Sequence, residues 1–241
     1  LGFFLGRNQN DSGNIPFNDH GEKIMGIQWT LSAGEIEKES FRIIFEETQN
    51  TPLAKLPPAE WKIARRLIHT TADLHIADTL VFSGNPIKAG IEALLSASPI
   101  FCDSKMIRSG LSMQKLQSIN PDYSETHLLC SISDSDVIEK AQKENRTRAL
   151  CSVEKNKDKL DNAIVLIGTA PLALAQICQY ILDGLVKPAL IVGMPVGFVN
   201  VVESKELLTQ CPVPYISLLG RRGGSALAVT TLHAIMENIL K

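Results

Sequence analysis

Three nearly continuous apolar runs in the second half of the chain are each followed by a glycine-bearing loop. The runs cover residues 163–167, 189–192 and 213–219. Strands that are covered on both faces of a parallel sheet have this apolar character. A helical pattern follows each loop, so right-handed crossovers would place the three loops along one edge of the sheet. Because ligands bind at the carboxyl ends of such strands, we predict the active site at these loops.

Weaker patterns complete a predicted α/β domain. Apolar runs at 99–103 and 126–132 add two strands, which gives a mainly parallel sheet of about five strands. Helices are expected at residues 36–49, 58–71, 86–98, 134–144, 147–159 and 225–240. Ser32 and Glu35 have the spacing of a capping box at the first of them. We predict one three-layer α/β/α domain over residues 31–241 with an N-terminal helical lobe, and a polar, turn-rich arm over residues 1–30.

Composition excludes several classes of partner. The chain has 241 residues, 44% of them hydrophobic and 21% charged, and a formal net charge of −2. This balance gives no reason to expect nucleic acid or an acidic membrane surface as a partner. No apolar run reaches the ~18 residues that a membrane helix needs, and the apolar stretch at 1–5 is too short for a secretory signal.

The five cysteines indicate a reducing cellular compartment and not a metal-binding site. They show no CxxC pair and no histidine at a spacing typical of zinc. Most lie in apolar strand or helix patterns, so we expect reduced core cysteines in a cytoplasmic protein, and no metal.

His69 is the first catalytic candidate. Arg66 lies three residues before it, and residues at this spacing share one face of a helix. A permanent cation would then lie beside a side chain that titrates near neutrality. The alternative is a surface histidine at a helix C-terminus. His127, by contrast, falls inside the strand pattern at 126–132 and is predicted to be a core residue.

The loop after the third apolar run is the most specific stretch of the sequence. Its glycines allow left-handed backbone geometry and an anion-binding concavity. Its two guanidiniums match carboxylates or phosphates. The alternative is a flexible turn with solvated arginines, but its place between a strand and a helix N-terminus favours binding. The loop consists of Gly220, Arg221, Arg222, Gly223 and Gly224.

The loop after the first run should also bind an anion. Pro171 suits the first position of a helix, so the N–H groups of that first turn would face the crevice. The residues concerned are Gly168, Thr169, Ala170 and Pro171.

The loop after the second run offers backbone and apolar surface that suit a flat hydrophobic ring. Beyond it, Asn200 with Glu203 has the spacing of a helix N-cap. The predicted binding residues are Gly193, Pro195, Val196, Gly197 and Phe198.

None of the three loops carries a motif for a common cofactor. None is the GxGxxG of a dinucleotide site or the GxxxxGK[ST] of a P-loop, and no serine or cysteine lies in a nucleophile elbow. We therefore predict no cofactor. Several anion sockets beside one apolar wall and one histidine suit a bulky, flat, polycarboxylated ligand.

Together these residues resemble the precorrin-8X methylmutase (precorrin isomerase) family. The resemblance spans roughly residues 33–240. Its most specific parts are Gly193-Met194-Pro195-Val196-Gly197-Phe198 with Glu203-Ser204-Lys205, and then the glycine-arginine loop. Further matching runs lie at 39–44, 66–69, 97–103 with Met106, and 168–174.

The resemblance implies a function. It implies a homodimer of α/β subunits that moves the C11 methyl group to C12 of precorrin-8 or cobalt-precorrin-8, an isomerase step of cobalamin biosynthesis. His69 matches the family's catalytic histidine, Ser40 its substrate-binding serine and Arg66 its arginine. Arg148 matches a further family arginine, and family members often carry Asn at the position of Thr169.

Two functions of other classes stay open at this point. A corrinoid-binding carrier would use the same crevice without turnover. A nucleotide-dependent oxidoreductase would need a phosphate-binding motif, which the three loops lack.

Overall fold

The structure, a computed structural model, describes residues 30–240. The predicted arm therefore lies outside the described residues, except for Thr30. Contacts divide the chain into two units, one ending at Ser40 and the other beginning at Phe41. In the first unit, Ser32 and Glu35 form the predicted capping box: the Glu35 carboxylate accepts from the Ser32 N–H (2.8 Å), and the Ser32 hydroxyl accepts from the Glu35 N–H (3.4 Å).

The elements are numbered in chain order. The helices are α1 (Ala33–Thr48), α2 (Pro58–Thr71), α3 (Pro86–Leu95), α4 (Lys105–Gly110), α5 (Met113–Ile119), α6 (Ser135–Lys143), α7 (Arg148–Lys155), α8 (Pro171–Leu182), α9 (Val201–Leu208) and α10 (Ser225–Met236). The strands are β1 (Leu80–Ser83), β2 (Ile100–Cys102), β3 (Leu128–Leu129), β4 (Ile164–Ile167), β5 (Leu190–Gly193) and β6 (Tyr215–Leu218).

The second unit has the predicted three-layer α/β/α architecture. Its sheet has the order β1-β6-β5-β4-β2-β3, and every pair except β1–β6 is parallel. Side chains alternate across β4: Ile164 and Leu166 join the core under α2, α3 and α10, whereas Val165 and Ile167 join the core under α7, α8 and α9. A strand covered on both faces must be apolar throughout, which explains the continuous runs.

The sheet differs from the prediction at both edges. β1 was not predicted: it is antiparallel to β6 and only half-buried, and its apolar run has just three residues, 80–82. β3 has only two residues instead of the seven predicted at 126–132. His127 is not a core strand residue, because it ends a 3-10 turn in which its Nδ1 accepts from the Ser124 N–H (3.2 Å).

Several helix predictions also need correction. The short helices α4 and α5 were not predicted, and α3, α7 and α10 end three to four residues earlier than expected. Asn200 precedes α9 as predicted, but its φ is 60° and its side chain makes no capping hydrogen bond. Asparagine tolerates this left-handed conformation, so Asn200 turns the chain rather than capping the helix.

Among the described helices, none combines the length and the apolar character that a bilayer crossing requires.

Helix α10 carries the part-buried His233, whose Nε2 accepts from the Ser112 N–H (3.3 Å). Burial, together with the nearby Lys115 and Arg66, lowers the pKa of His233 from 6.5 to about 4. As the pH falls from 6.5 to about 4, the unfolded chain binds a proton at this histidine that the folded chain does not bind. The free energy of unfolding therefore decreases over this range. We expect His233→Gln to lose about 1 kcal/mol less unfolding free energy between pH 7 and pH 5 than the unmodified protein, after allowing for partial exposure. Urea titrations at both pH values measure this difference, and equal losses would contradict it.

Candidate active site

The three glycine-bearing loops meet at the carboxyl edge of the sheet, as predicted. The Met194 N–H donates to the Ile167 carbonyl at the end of β4 (2.8 Å), and the Gly224 N–H donates to the Met194 carbonyl (2.8 Å). The Gly197 N–H donates to the Arg221 carbonyl (3.2 Å). Backbone bonds therefore hold the three loops as one continuous surface.

Two glycines are needed because backbones approach closely here. A Cβ atom at Gly223 would lie 2.2 Å from the Met194 carbonyl oxygen, and one at Gly168 would lie 2.7 Å from the backbone of Ser225. Real Cβ atoms do not tolerate such distances, so a side chain at either position would separate the loops. Gly220 and Gly224 have the positive φ values, 76° and 136°, that were predicted for this loop.

The two arginines of the third loop have different surroundings. One Arg222 guanidinium nitrogen lies 2.5 Å from the Asp73 carboxylate, just beyond α2. Arg221 is exposed, and its guanidinium carbon lies 5.3 Å from the centre of the Phe198 ring. Arg221 forms no ion pair with a carboxylate of residues 30–240. Arg221 is therefore better placed than Arg222 to receive an outside carboxylate.

The loop after β4 differs from the prediction. The Asp103 carboxylate, buried at the end of β2, accepts from the N–H groups of Gly168 (3.1 Å), Thr169 (2.7 Å) and Ala170 (2.8 Å). The Thr169 hydroxyl also donates to it (3.1 Å). A carboxylate of the protein thus occupies the position at the start of α8 that was predicted for a ligand anion. Any contact of this loop with substrate must use other groups.

His69 lies in the last turn of α2 and is exposed. Four residues later, Asp73 binds Arg222, and the hydroxyl of Thr70 lies 3.1 Å from that of Thr230 on α10. The carboxyl end of α2 is therefore held beside the middle of α10 and beside the arginine loop.

Phe41 joins His69 to Arg66, the other candidate on α2. The Phe41 and His69 rings meet edge to face with centres 5.3 Å apart, and the Arg66 guanidinium carbon lies 4.9 Å from the Phe41 ring centre. Arg66 also pairs with Glu237, just after α10, at 2.5 Å. This network fixes Arg66 and the imidazole on one side of the same helix.

An apolar surface borders the arginine loop. Phe198 is 82% exposed, Val199 74% and Val196 47%. Large apolar side chains with this exposure beside a cationic loop match the predicted wall for a flat ring.

The roles of two predicted binding residues, Ser40 and Arg148, stay predictions. Ser40 belongs to the first unit, where its hydroxyl donates to the Ile36 carbonyl (2.8 Å), and its relation to the loops stays a prediction. Arg148 is the exposed first residue of α7, which packs against α6 and α8. Within residues 30–240, Arg148 forms no hydrogen bond or ion pair with the three loops, so its role also stays a prediction.

Two other regions, a cavity and a cluster of acidic residues, are weaker candidates for a functional site. An open cavity of about 520 Å³ lies at the opposite edge of the sheet, where Ser98, Ala189 and Pro214 precede strands; its lining contains no arginine or histidine. Glu144, Cys151 and Glu154 are close enough to share an ion, but Arg146 (2.5 Å) and Lys140 (2.8 Å) already bind the Glu154 carboxylate. We assign no metal site there.

Comparison with known proteins identifies the family. The family model described as Precorrin-8X methylmutase matches residues 35–238. The chain belongs to the precorrin-8X methylmutase family. This confirms the resemblance found in the sequence, and residues 1–30 lie outside the match as they did there.

Individual relatives in the precorrin-8X methylmutase family match over most of their length. The chain is 42% identical over 217 residues to the cobalt-precorrin-8 methylmutase of Leptospira interrogans, covering 87% of this chain and 95% of the relative. It is 36% identical to the precorrin-8X methylmutase of Pseudomonas aeruginosa, covering 87% and 97%. A crystal structure of the precorrin-8X methylmutase from Thermus thermophilus superposes with a TM-score of 0.74 at 38% identity, covering 84% and 94%.

Sequence reasoning assigned no role to two buried charged residues of the candidate site in this methylmutase-family chain, although each left a signal. Asp103 is an acid directly after a buried strand, where ligand-binding residues of parallel sheets are found. Lys205 lies four residues after Val201 and three before Leu208, which is the spacing of one helix face, and both neighbours are buried. A lysine on an apolar helix face is the kind of exception that calls for a specific partner.

Proposed function

We propose that this protein is an isomerase of cobalamin biosynthesis that converts precorrin-8 or cobalt-precorrin-8 to hydrogenobyrinate or cobyrinate by moving the C11 methyl group to C12. The family match over residues 35–238 carries this proposal. The relatives include proteins named for the cobalt-containing and for the metal-free substrate, so both forms are candidates.

The chemistry suits a site of this composition. A 1,5-methyl shift is intramolecular, because the methyl group leaves C11 and joins C12 of the same conjugated system. A proton added to a ring nitrogen would make that system a better electron sink. In this proposal His69 donates the proton and recovers it after the shift, which leaves the protein unchanged and conserves atoms and charge.

The surrounding groups would bind and orient the macrocycle. Arg221 and Arg66 carry the positive charges for its peripheral carboxylates, and the exposed Phe198 and Val196 would cover its apolar face. Fixing one pose of the ring beside the imidazole is the main contribution such a site can make to an intramolecular reaction. The proposed binding set also keeps Ser40 and Arg148, which the family resemblance supplies.

We also propose a homodimer located in the cytoplasm. Ile43 and Phe45 on α1 are 41% and 55% exposed, which is a reason to expect a protein partner for this helix. Four of the five cysteines are buried, in agreement with the predicted core positions. Sedimentation of the purified protein at micromolar concentration should give twice the mass of the chain, and a monomer would contradict the dimer.

The function is tested by adding purified protein to precorrin-8 and, separately, to cobalt-precorrin-8. We expect the absorption spectrum of at least one substrate to change to that of its methyl-shifted product, with the mass unchanged. Tight binding without any spectral conversion would favour the corrinoid carrier instead. Thermal protection by NAD(P)H without corrinoid binding would favour an oxidoreductase.

A further inference from the structure

Lys205 is a buried lysine whose ammonium group points into the arginine loop. It is 1% exposed and lies on the buried face of α9. Its Nζ donates to the carbonyl oxygens of Gly220 (2.9 Å) and Arg222 (2.6 Å). These are the carbonyls on either side of Arg221, so one side chain holds both flanks of that residue.

The remaining carbonyl of this stretch is held as well. The Arg221 carbonyl accepts from the Gly197 N–H (3.2 Å), so three consecutive carbonyls are bound from below by α9 and the loop before it. The side chains of Arg221 and Arg222 are both exposed. Lys205 therefore fixes the backbone conformation on both sides of Arg221, whose side chain is exposed.

The charge of Lys205 has no counter-ion in the described part of the chain. No carboxylate of residues 30–240 forms an ion pair with it, and within that range its Nζ donates only to the two carbonyls. Burying an ammonium without a carboxylate costs stability, and an apolar side chain of similar length would be less costly at the same place. A role in stability alone does not explain a lysine here.

We propose that Lys205 is a positioning residue of the active site, which holds the Gly220–Gly224 loop so that Arg221 binds a carboxylate of the substrate. This inference rests on the proposed function. Arg221 is the better candidate of the two arginines because Asp73 already pairs with Arg222, whose own binding role stays a prediction. The buried ammonium also adds a positive charge beneath the Gly220–Gly224 loop, and a ligand with several carboxylates would compensate that charge.

Because the Lys205 ammonium can lose its proton, the proposal predicts that ligand affinity depends on pH. Burial lowers the pKa of Lys205 from 10.5 to about 8. No nearby charge contributes to this shift among the described residues: the other charged residues of α9, Glu203 and Glu206, do not pair with Lys205, and α8, which packs against α9, carries no charged residue. A neutral amine still donates to two carbonyls, so raising the pH removes the charge without releasing the loop. Affinity for a carboxylated ring should therefore fall between pH 7 and pH 9.

Lys205→Met tests the proposal because methionine keeps the apolar stem and removes the ammonium. We expect the Kd for cobyrinate and the KM for the substrate to rise roughly tenfold to thirtyfold, with kcat changed less than about threefold, since binding is lost equally in the ground and transition states. The loss of affinity between pH 7 and pH 9 should be smaller in the variant. Lys88→Met, which removes an exposed lysine of α3, is the matched control and should change neither constant.

A second variant separates positioning from general destabilisation. In an Arg221→Met background, Lys205→Met should weaken cobyrinate binding clearly less than it does in the unmodified protein, because the positioning of Arg221 is already lost and only the charge of the ammonium remains to be removed. Additive effects, or a lower melting temperature with unchanged Kd, would overturn the proposal. If the unmodified protein binds cobyrinate but converts neither substrate, the enzymatic function fails and the Kd values still decide the role of Lys205. If it binds no cobyrinate, the inference fails as well.

Discussion

His69→Ala is expected to lower kcat by a factor of roughly 10² to 10⁴, the usual contribution of a positioned general acid, while the Kd for cobyrinate changes by less than about threefold. The imidazole is exposed at the end of α2 and meets the Phe41 ring, and it forms no ion pair with a residue of the described chain. Its removal should leave the arginine loop and the apolar wall intact. Single-turnover absorbance measurements give kcat, and equilibrium titration gives Kd.

His75→Ala is the matched control for this experiment. His75 is also exposed, lies six residues further along, and pairs with Asp78 at 3.1 Å instead of a site residue. We expect its kinetic constants to equal those of the unmodified protein. If His69→Ala kept its rate, His69 would lose its assigned role even though the family assignment would stand.

Asp103→Ala is expected to lower the free energy of unfolding by about 2–4 kcal/mol, which corresponds to a fall of roughly 5–15 °C in melting temperature. Alanine would leave the N–H groups of Gly168, Thr169 and Ala170 without their shared acceptor. The gain from removing a buried charge offsets part of this loss. Because the freed loop borders the crevice, kcat/KM should also fall at temperatures where the variant is folded.

Two further variants make this result specific. Asp103→Asn keeps one oxygen that can accept from the same amides, so it should lose about half as much stability. Asp122→Ala removes an exposed carboxylate and should change stability by less than about 0.5 kcal/mol. Melting curves followed by circular dichroism measure all three. A melting temperature for Asp103→Ala within about 2 °C of the unmodified protein would show that the carboxylate does not hold the loop.

The central strands of the sheet could be predicted from sequence because their burial determines the residue types within each strand. β4, β5 and β6 are covered on both faces, so each is a nearly continuous apolar run with a glycine at its end or within two residues of it. The edges could not be predicted in the same way. β1 and β3 have one neighbour each and only four and two residues, so the apolar pattern did not give their extents: β1 was missed and β3 was predicted too long.

The site was predictable to the extent that its chemistry lies within one loop. The glycines and arginines of the Gly220–Gly224 loop are adjacent in sequence, and their conformation follows from their residue types. Asp103 binds a loop 65 to 67 residues away, so its role depends on β2 pairing with β4. The pairing of Arg222 with Asp73 likewise follows from the way α2 ends beside that loop. Such partners are set by topology and not by local pattern.

The central claim is that a flat, polycarboxylated ring docks across the three loops with the His69 imidazole facing it. A crystal structure of the protein with bound cobyrinate tests this most directly. We expect the macrocycle over the Gly193–Phe198 and Gly220–Gly224 loops, a carboxylate on Arg221, and an imidazole nitrogen of His69 within about 3.5 Å of a ring atom. A macrocycle bound at the opposite edge of the sheet, or one bound at the loops with His69 turned away from it, would contradict the claim.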